Sequence, residues 1–105
     1  MKRLKSDQQE KRLAEKLNGR VQPGSGCGWR NKGDVKGPQW LAECKRTDKK
    51  QIILKKADIE KIIERAAKEG LEPLMEIQIQ DVNVYILTET TFDFVRDAIE
   101  RRLRE

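Results

Sequence analysis

The sequence predicts an α/β domain, a mixed central sheet flanked by helices in the order αβββαββα. Three observations carry this. Apolar residues recur at helical spacing in three separated segments, they alternate with polar residues between those segments, and Gly or Pro punctuates the joins. The 105 residues fit one domain, 1–105, with a small core.

Each element has its own justification. Ser6 to Leu17 reads as a helix: Ser6-Asp7-Gln8-Gln9 has the S-x-x-Q form of a capping box, Leu13, Ala14 and Leu17 share a face, and Asn18-Gly19 is a stop. Glu10 falls on the inward stripe, where a carboxylate is costly unless something pairs with it, whereas Glu15 falls on the wet side. Arg20 to Gln22 is a short strand. Pro23-Gly24-Ser25-Gly26-Cys27-Gly28 is a loop by composition; no Gly-Lys-Ser/Thr follows it and its glycine spacing misses G-x-G-x-x-G, so neither phosphate-loop pattern fits.

Gly33 to Lys36 and Gln39 to Arg46 are strands around the turn signal Lys36-Gly37-Pro38, which predicts an antiparallel hairpin. On the second strand Trp40, Ala42 and Cys44 point one way and Leu41, Glu43 and Lys45 the other. A helix from Lys56 to Glu69 carries Ile59, Ile62, Ile63, Ala66 and Ala67 on one stripe and stops at Gly70. Pro73 to Gln80 and Val84 to Leu87 read as strands around an Asp81-Val82-Asn83 turn. Thr90-Thr91-Phe92-Asp93 has the form of a capping box opening a last helix. Its Phe92, Val95, Ala98, Ile99 and Leu103 are expected to face the core, with a dimer contact as the lesser alternative.

Composition restricts the partners. The formal net charge is +5, and nucleic acid is the commonest polyanion for a basic chain, a solvated charged surface being the other reading. Two cysteines, Cys27 and Cys44, and no histidine leave too few ligands for a structural zinc site. The longest apolar run is too short to span a membrane, and MKRLKSDQQEKR is no secretory signal, so a cytoplasmic protein with reduced thiols is expected.

The chemistry is concentrated around Gly33-Asp34 and Glu43-Cys44-Lys45. Glu43 and Lys45 are two apart on a strand and share a face, and Asp34 lies on the neighbouring strand. Two adjacent carboxylates repel unless a cation sits between them. Oxygen ligands at that spacing suit Mg²⁺ or Mn²⁺, and a lysine beside the metal can hold and polarise an attacking water, which is what phosphodiester hydrolysis needs. E-x-K alone means little in a chain that is 39% charged. Its place in Trp-Leu-Ala-Glu-Cys-Lys, where a bare charge is expensive, raises it.

These residues, in this order of elements, resemble the PD-(D/E)XK nuclease superfamily, and most closely its archaeal-type and phage Holliday junction resolvases. The likeness covers about Glu10 to Leu87. It implies a restriction-endonuclease-like αβββαβ core and a Mg²⁺-dependent endonuclease, with Mn²⁺ an alternative metal. By match, Asp34 and Glu43 are metal ligands, the backbone carbonyl of Cys44 is a further ligand, and Lys45 positions the water. Glu10 matches a glutamate on the family's first helix, and Ser25 fits a serine often found in the loop before the aspartate. Gly33 stands where many members have proline.

The resemblance further implies a homodimer that cuts branched DNA at a four-way junction by in-line attack, leaving a 5′-phosphate. Arg30 and Lys32 would hold phosphates, and Trp29 either stacks on DNA or tucks into the core. Lys36, Arg46, Lys49 and Lys50 extend the candidate DNA contact, the plain reading of the last three being a solvated turn. The arginines of the last helix are more simply helix surface. The alternatives are a repair, nicking or restriction-like nuclease of the same superfamily, or a DNA-binding module with a relic site. Small size and a branched substrate fit a phage or mobile element, which would place the protein in the host cytoplasm.

Overall fold

The computed structural model describes residues 5–22 and 34–105, the side chains of Ser6 and Asp34 excepted. Eight elements follow in order: α1 (Lys5–Lys16), β1 (Arg20–Val21), β2 (Asp34–Lys36), β3 (Trp40–Thr47), α2 (Lys56–Glu69), β4 (Glu72–Ile79), β5 (Val82–Ile86) and α3 (Glu89–Arg104). The strands form one sheet in the order β1-β2-β3-β4-β5. β3 and β4 are parallel, joined through α2, and every other pairing is antiparallel. This is the expected mixed α/β sheet, consistent with a restriction-endonuclease-like core.

The alternation of β3 sorts the core into two layers. Ala42 packs with Leu13, Ala14, Val35 and Leu74 beneath α1, with Trp40 and Cys44 at the margin. Leu41 faces the other way, into a cluster with Ile62, Ala66, Met75 and Ile77 beneath α2. Glu43 and Lys45 have the parity of Leu41, so they lie on the α2 face. Of the α2 stripe, Ile62 and Ala66 are buried, Ile59 is half-buried, and Ile63 and Ala67 are exposed.

Local chemistry fixes the ends. The α1 C-terminus closes with Asn18 at φ 55, Asn18 N–H donating to the Glu15 carbonyl at 3.3 Å and Gly19 N–H to the Ala14 carbonyl at 2.8 Å. Gly19 is required by space. A Cβ there would stand 2.1 Å from the Lys36 carbonyl oxygen, so only glycine lets the end of α1 rest on the β2–β3 hairpin. α2 ends in the same way at Gly70, φ 68.

Four expectations are corrected. α1 begins at Lys5, so Ser6 is inside the helix. Gln9 does not close a capping box: its amide donates to the Lys45 carbonyl at 3.2 Å and the Glu76 carbonyl at 3.3 Å. The β4–β5 turn is Gln80-Asp81 rather than Asp81-Val82-Asn83. Gln80 at φ 55 takes the left-handed first position that a two-residue hairpin loop needs, and pairing resumes at once with Val82 opposite Ile79. The cap of α3 is Thr88, whose hydroxyl oxygen accepts from Thr91 N–H at 3.1 Å, two residues before the expected start. Finally, the α3 stripe is not core. Phe92, Ile99 and Leu103 are exposed and Val95 is half-buried, because α3 follows the edge strand β5 and no described element covers that face.

Candidate active site

The site begins with strand register. β2 and β3 pair with Asp34 directly opposite Glu43, Val35 opposite Ala42 and Lys36 opposite Leu41. Opposed residues of an antiparallel pair lie about 5 Å apart and share a face. The backbone of Asp34 therefore stands beside Glu43 at one end of the hairpin, and Glu43 and Lys45 lie on the α2 face. Parallel pairing with β4 sets apolar Met75 beside Glu43 and Ile77 beside Lys45. Only about a quarter of each side chain is exposed, 27% for Glu43 and 25% for Lys45.

The lysine has two carboxylate partners among the described residues. Its Nζ lies 3.8 Å from Glu43 Oε1 and 3.3 Å from Asp58 Oδ2. Asp58 sits in the first turn of α2, half-buried at 31% side-chain exposure. The sequence reading passed over it. The available signal was an acid in the first turn of the helix following the Glu-x-Lys strand, which is also the ordinary complement to a helix dipole and so points nowhere in particular.

Behind the site, α1 supports the active strand. Gln9 joins β3 to β4 through its two carbonyl acceptors, and Arg12 donates to Glu76 Oε1 at 2.8 Å. Glu76 is fully buried, and among the described residues its Oε2 has no hydrogen-bond partner. Glu10 is buried on α1 at 5% exposure. With Gln9 level with Lys45 and the carbonyl of Leu17 against Gly37, α1 runs down β3 and Glu10 stands near the height of the Asp34–Glu43 pair, on the α1 side. Cys44 is half-buried and also faces α1.

The candidate DNA contacts scatter. Arg46 lies on the α1 face, where its guanidinium donates to Gln78 at 3.1 Å and Asp48 at 2.9 Å. That guanidinium, and then the Lys5 ammonium, hold the Asp48 carboxyl below the usual carboxylate range. Lys49 and Lys50 are exposed in the bend after β3. Lys36 is tied to Glu69 at the far end of α2 from Asp58, about 16 Å along the helix by its rise per residue. Ser25, Cys27, Trp29, Arg30, Lys32 and Gly33 lie outside the described residues.

The donor set bears on the implied metal. Among the described residues no three His, Cys, Asp or Glu side chains gather to hold an ion, and the Asp34 carboxylate falls outside that description. The register supplies carboxylates from two opposed positions, and Mg²⁺ characteristically takes only one or two and keeps its waters. Two acidic residues at opposed register positions suit such an ion, which Asp34 and Glu43 would hold.

A mixed sheet with the active-strand hairpin packed against α1, and an acid pair beside a lysine, is the frame of the restriction-endonuclease-like nucleases. Within that class the chain belongs to the family described as archaeal Holliday junction resolvase (hjc), whose model matches residues 2–102. No curated protein and no solved structure matches it.

Proposed function

We propose that this resolvase-family chain is a Mg²⁺-dependent, structure-selective endodeoxyribonuclease that hydrolyses four-way junctions, with Mn²⁺ able to replace Mg²⁺. The observation that carries the reading is the register that sets Asp34 opposite Glu43 with Lys45 on the same face. The metal, when bound, supplies Lewis-acid charge to the scissile phosphate and to water. Asp34 and Glu43 would hold it, joined by the Cys44 carbonyl, while Glu10, buried on the α1 side of the strand, would support the site from the other face of the sheet. The Lys45 ammonium donates to the attacking water and fixes its line of approach, and the reaction leaves a 5′-phosphate. Ser25, Arg30 and Lys32, with Lys49 and Lys50, are assigned to the DNA backbone and Trp29 to stacking on a base; Lys36 and Arg46 would reach DNA only by leaving Glu69 and the Gln78–Asp48 pair.

The working form is a homodimer. The support is α3: Phe92, Ile99 and Leu103 recur at helical spacing and stand 54%, 55% and 81% exposed, an apolar stripe of the kind that marks an interaction surface. A second copy suits it because a two-fold pair of sites matches a branched DNA with two-fold symmetry.

The test is cleavage of a labelled immobile junction with and without Mg²⁺, beside linear duplex, single strand, Asp34→Asn and Lys45→Ala. Paired symmetric cuts that need Mg²⁺ and Asp34 are expected. Lys45→Ala should bind the junction and leave it uncut. Junction binding should weaken steeply with salt, as phosphate contacts do. Equal affinity for duplex at moderate salt would remove the junction part, and tight binding with no cleavage of any DNA would leave a binding module.

A further inference from the structure

We infer that Asp58 is a positioning residue for Lys45, and that this ion pair holds the ammonium at the site once the Glu43 carboxylate is engaged elsewhere. The inference rests on the reading of Asp34, Glu43 and Lys45 as the hydrolytic set.

One ammonium stands between two carboxylates, and the nearer is Asp58, 3.3 Å away against 3.8 Å for Glu43. The two acids come from different supports. Glu43 is on β3 opposite Asp34, where a bound metal would share its charge. Asp58 is on α2, one residue from half-buried Ile59, with Ile62 and Ala66 anchoring the helix in the core. A cation held by Glu43 competes with Lys45 for that carboxylate and repels the ammonium through the same short distance. A lysine on a flexible four-carbon stem then needs another fixed charge to keep its place. Asp58 supplies that charge from a rigid helix, on the α2 side of the strand. The ordinary role of an acid in a first helical turn, complementing the dipole, predicts an effect on stability alone.

The experiment compares Asp58→Asn and Asp58→Glu with wild type and Lys45→Ala. Single-turnover junction cleavage in Mg²⁺ is measured over a range of protein concentrations, with junction binding in EDTA alongside. In Asp58→Asn the maximal rate is expected to fall about ten- to a hundredfold, the scale on which misplacement of a catalytic group acts, with the half-saturating concentration unchanged. Asp58→Glu should recover most of the rate, and binding in EDTA should match wild type. A readout without metal accompanies these: the ammonium NMR signal of Lys45, visible when exchange with water is slow, is expected in wild type and lost in Asp58→Asn. A full maximal rate in Asp58→Asn, with Lys45→Ala inactive, would overturn the positioning role and leave the hydrolytic reading intact. So would an unchanged Lys45 signal, or a rate loss matched by lost binding. Failure of the wild type to cut any DNA would sink the hydrolytic reading, and the positioning role with it.

Discussion

Replacing Arg12 with methionine should destabilise the fold by about 2–3 kcal/mol, with the long apolar stem kept so that only the charge is lost. The magnitude follows from the asymmetry of the pair. Arg12 meets Glu76 Oε1 at 2.8 Å, and the two side chains are 39% and 0% exposed. At that distance and an effective dielectric of about 20 the gross attraction is roughly 6 kcal/mol, most of it offset by the desolvation of Glu76. Stripping one partner from a buried pair costs about 3–5 kcal/mol, whereas a surface pair contributes about 0–1. The half-exposed arginine sets the result between these. A Tm fall of roughly 10–20 °C follows for a domain of this size. Urea denaturation followed by circular dichroism measures the change, with Arg96→Met as control. Arg96 is also paired, to Asp93 and Asp97, but at half-exposed positions, so its loss should stay within about 0.5 kcal/mol. Replacing both Arg12 and Glu76 with apolar residues should recover most of the loss, because the unpaired buried charge is gone. Equal costs for Arg12→Met and Arg96→Met, or a double variant worse than the single, would refute the reasoning.

Two further perturbations test the frame around the site. Gly19→Ala places a Cβ 2.1 Å from the Lys36 carbonyl oxygen and should cost about 2–3 kcal/mol in denaturation, since backbone rather than a flexible side chain must yield; a neutral result would mean that the end of α1 does not rest on the hairpin. Ile99→Glu with Leu103→Glu should leave Tm at low concentration within a few degrees and convert a dimer to a monomer in sedimentation velocity; a wild-type chain that is monomeric at micromolar concentration would remove the α3 interface.

The sheet was legible because its signals were periodic. Alternation in Trp40–Thr47 gave both faces of β3, and Gly37-Pro38 gave the hairpin whose register opposes Asp34 and Glu43. α3 misled because periodicity reports an apolar face without reporting what covers it; Phe92, Ile99 and Leu103 have the spacing of core residues and none of the burial. Tertiary demands override local cap signals: α3 has Thr88, Thr90 and Thr91 within one turn of its start, and Thr88 caps it while the Thr91 hydroxyl donates to Glu72. Gln9 is the clear case: its amide bridges β3 and β4 rather than closing a local box.

One rule gave a different outcome at each of two positions, and the difference locates where sequence reasoning ran out. A carboxylate in an apolar strand is expensive and therefore has a reason to be there. Glu43 in Trp-Leu-Ala-Glu-Cys-Lys was read that way, but Glu76 in Pro-Leu-Met-Glu-Ile-Gln-Ile satisfies the same rule and was passed over. The structure separates them by face. Glu76 points under α1, where Arg12 pairs with it and encloses it. Glu43 points toward the start of α2, stays partly exposed, and shares its side of the sheet with Lys45 and Asp58. Strand parity is thus a prediction about phenotype. At Glu43 and Lys45, substitution should change cleavage more than stability, and at Glu76 stability more than cleavage. A stability loss in Glu43→Gln as large as that in Arg12→Met would show that Glu43 too is structural, and the two faces would no longer divide the work between chemistry and support.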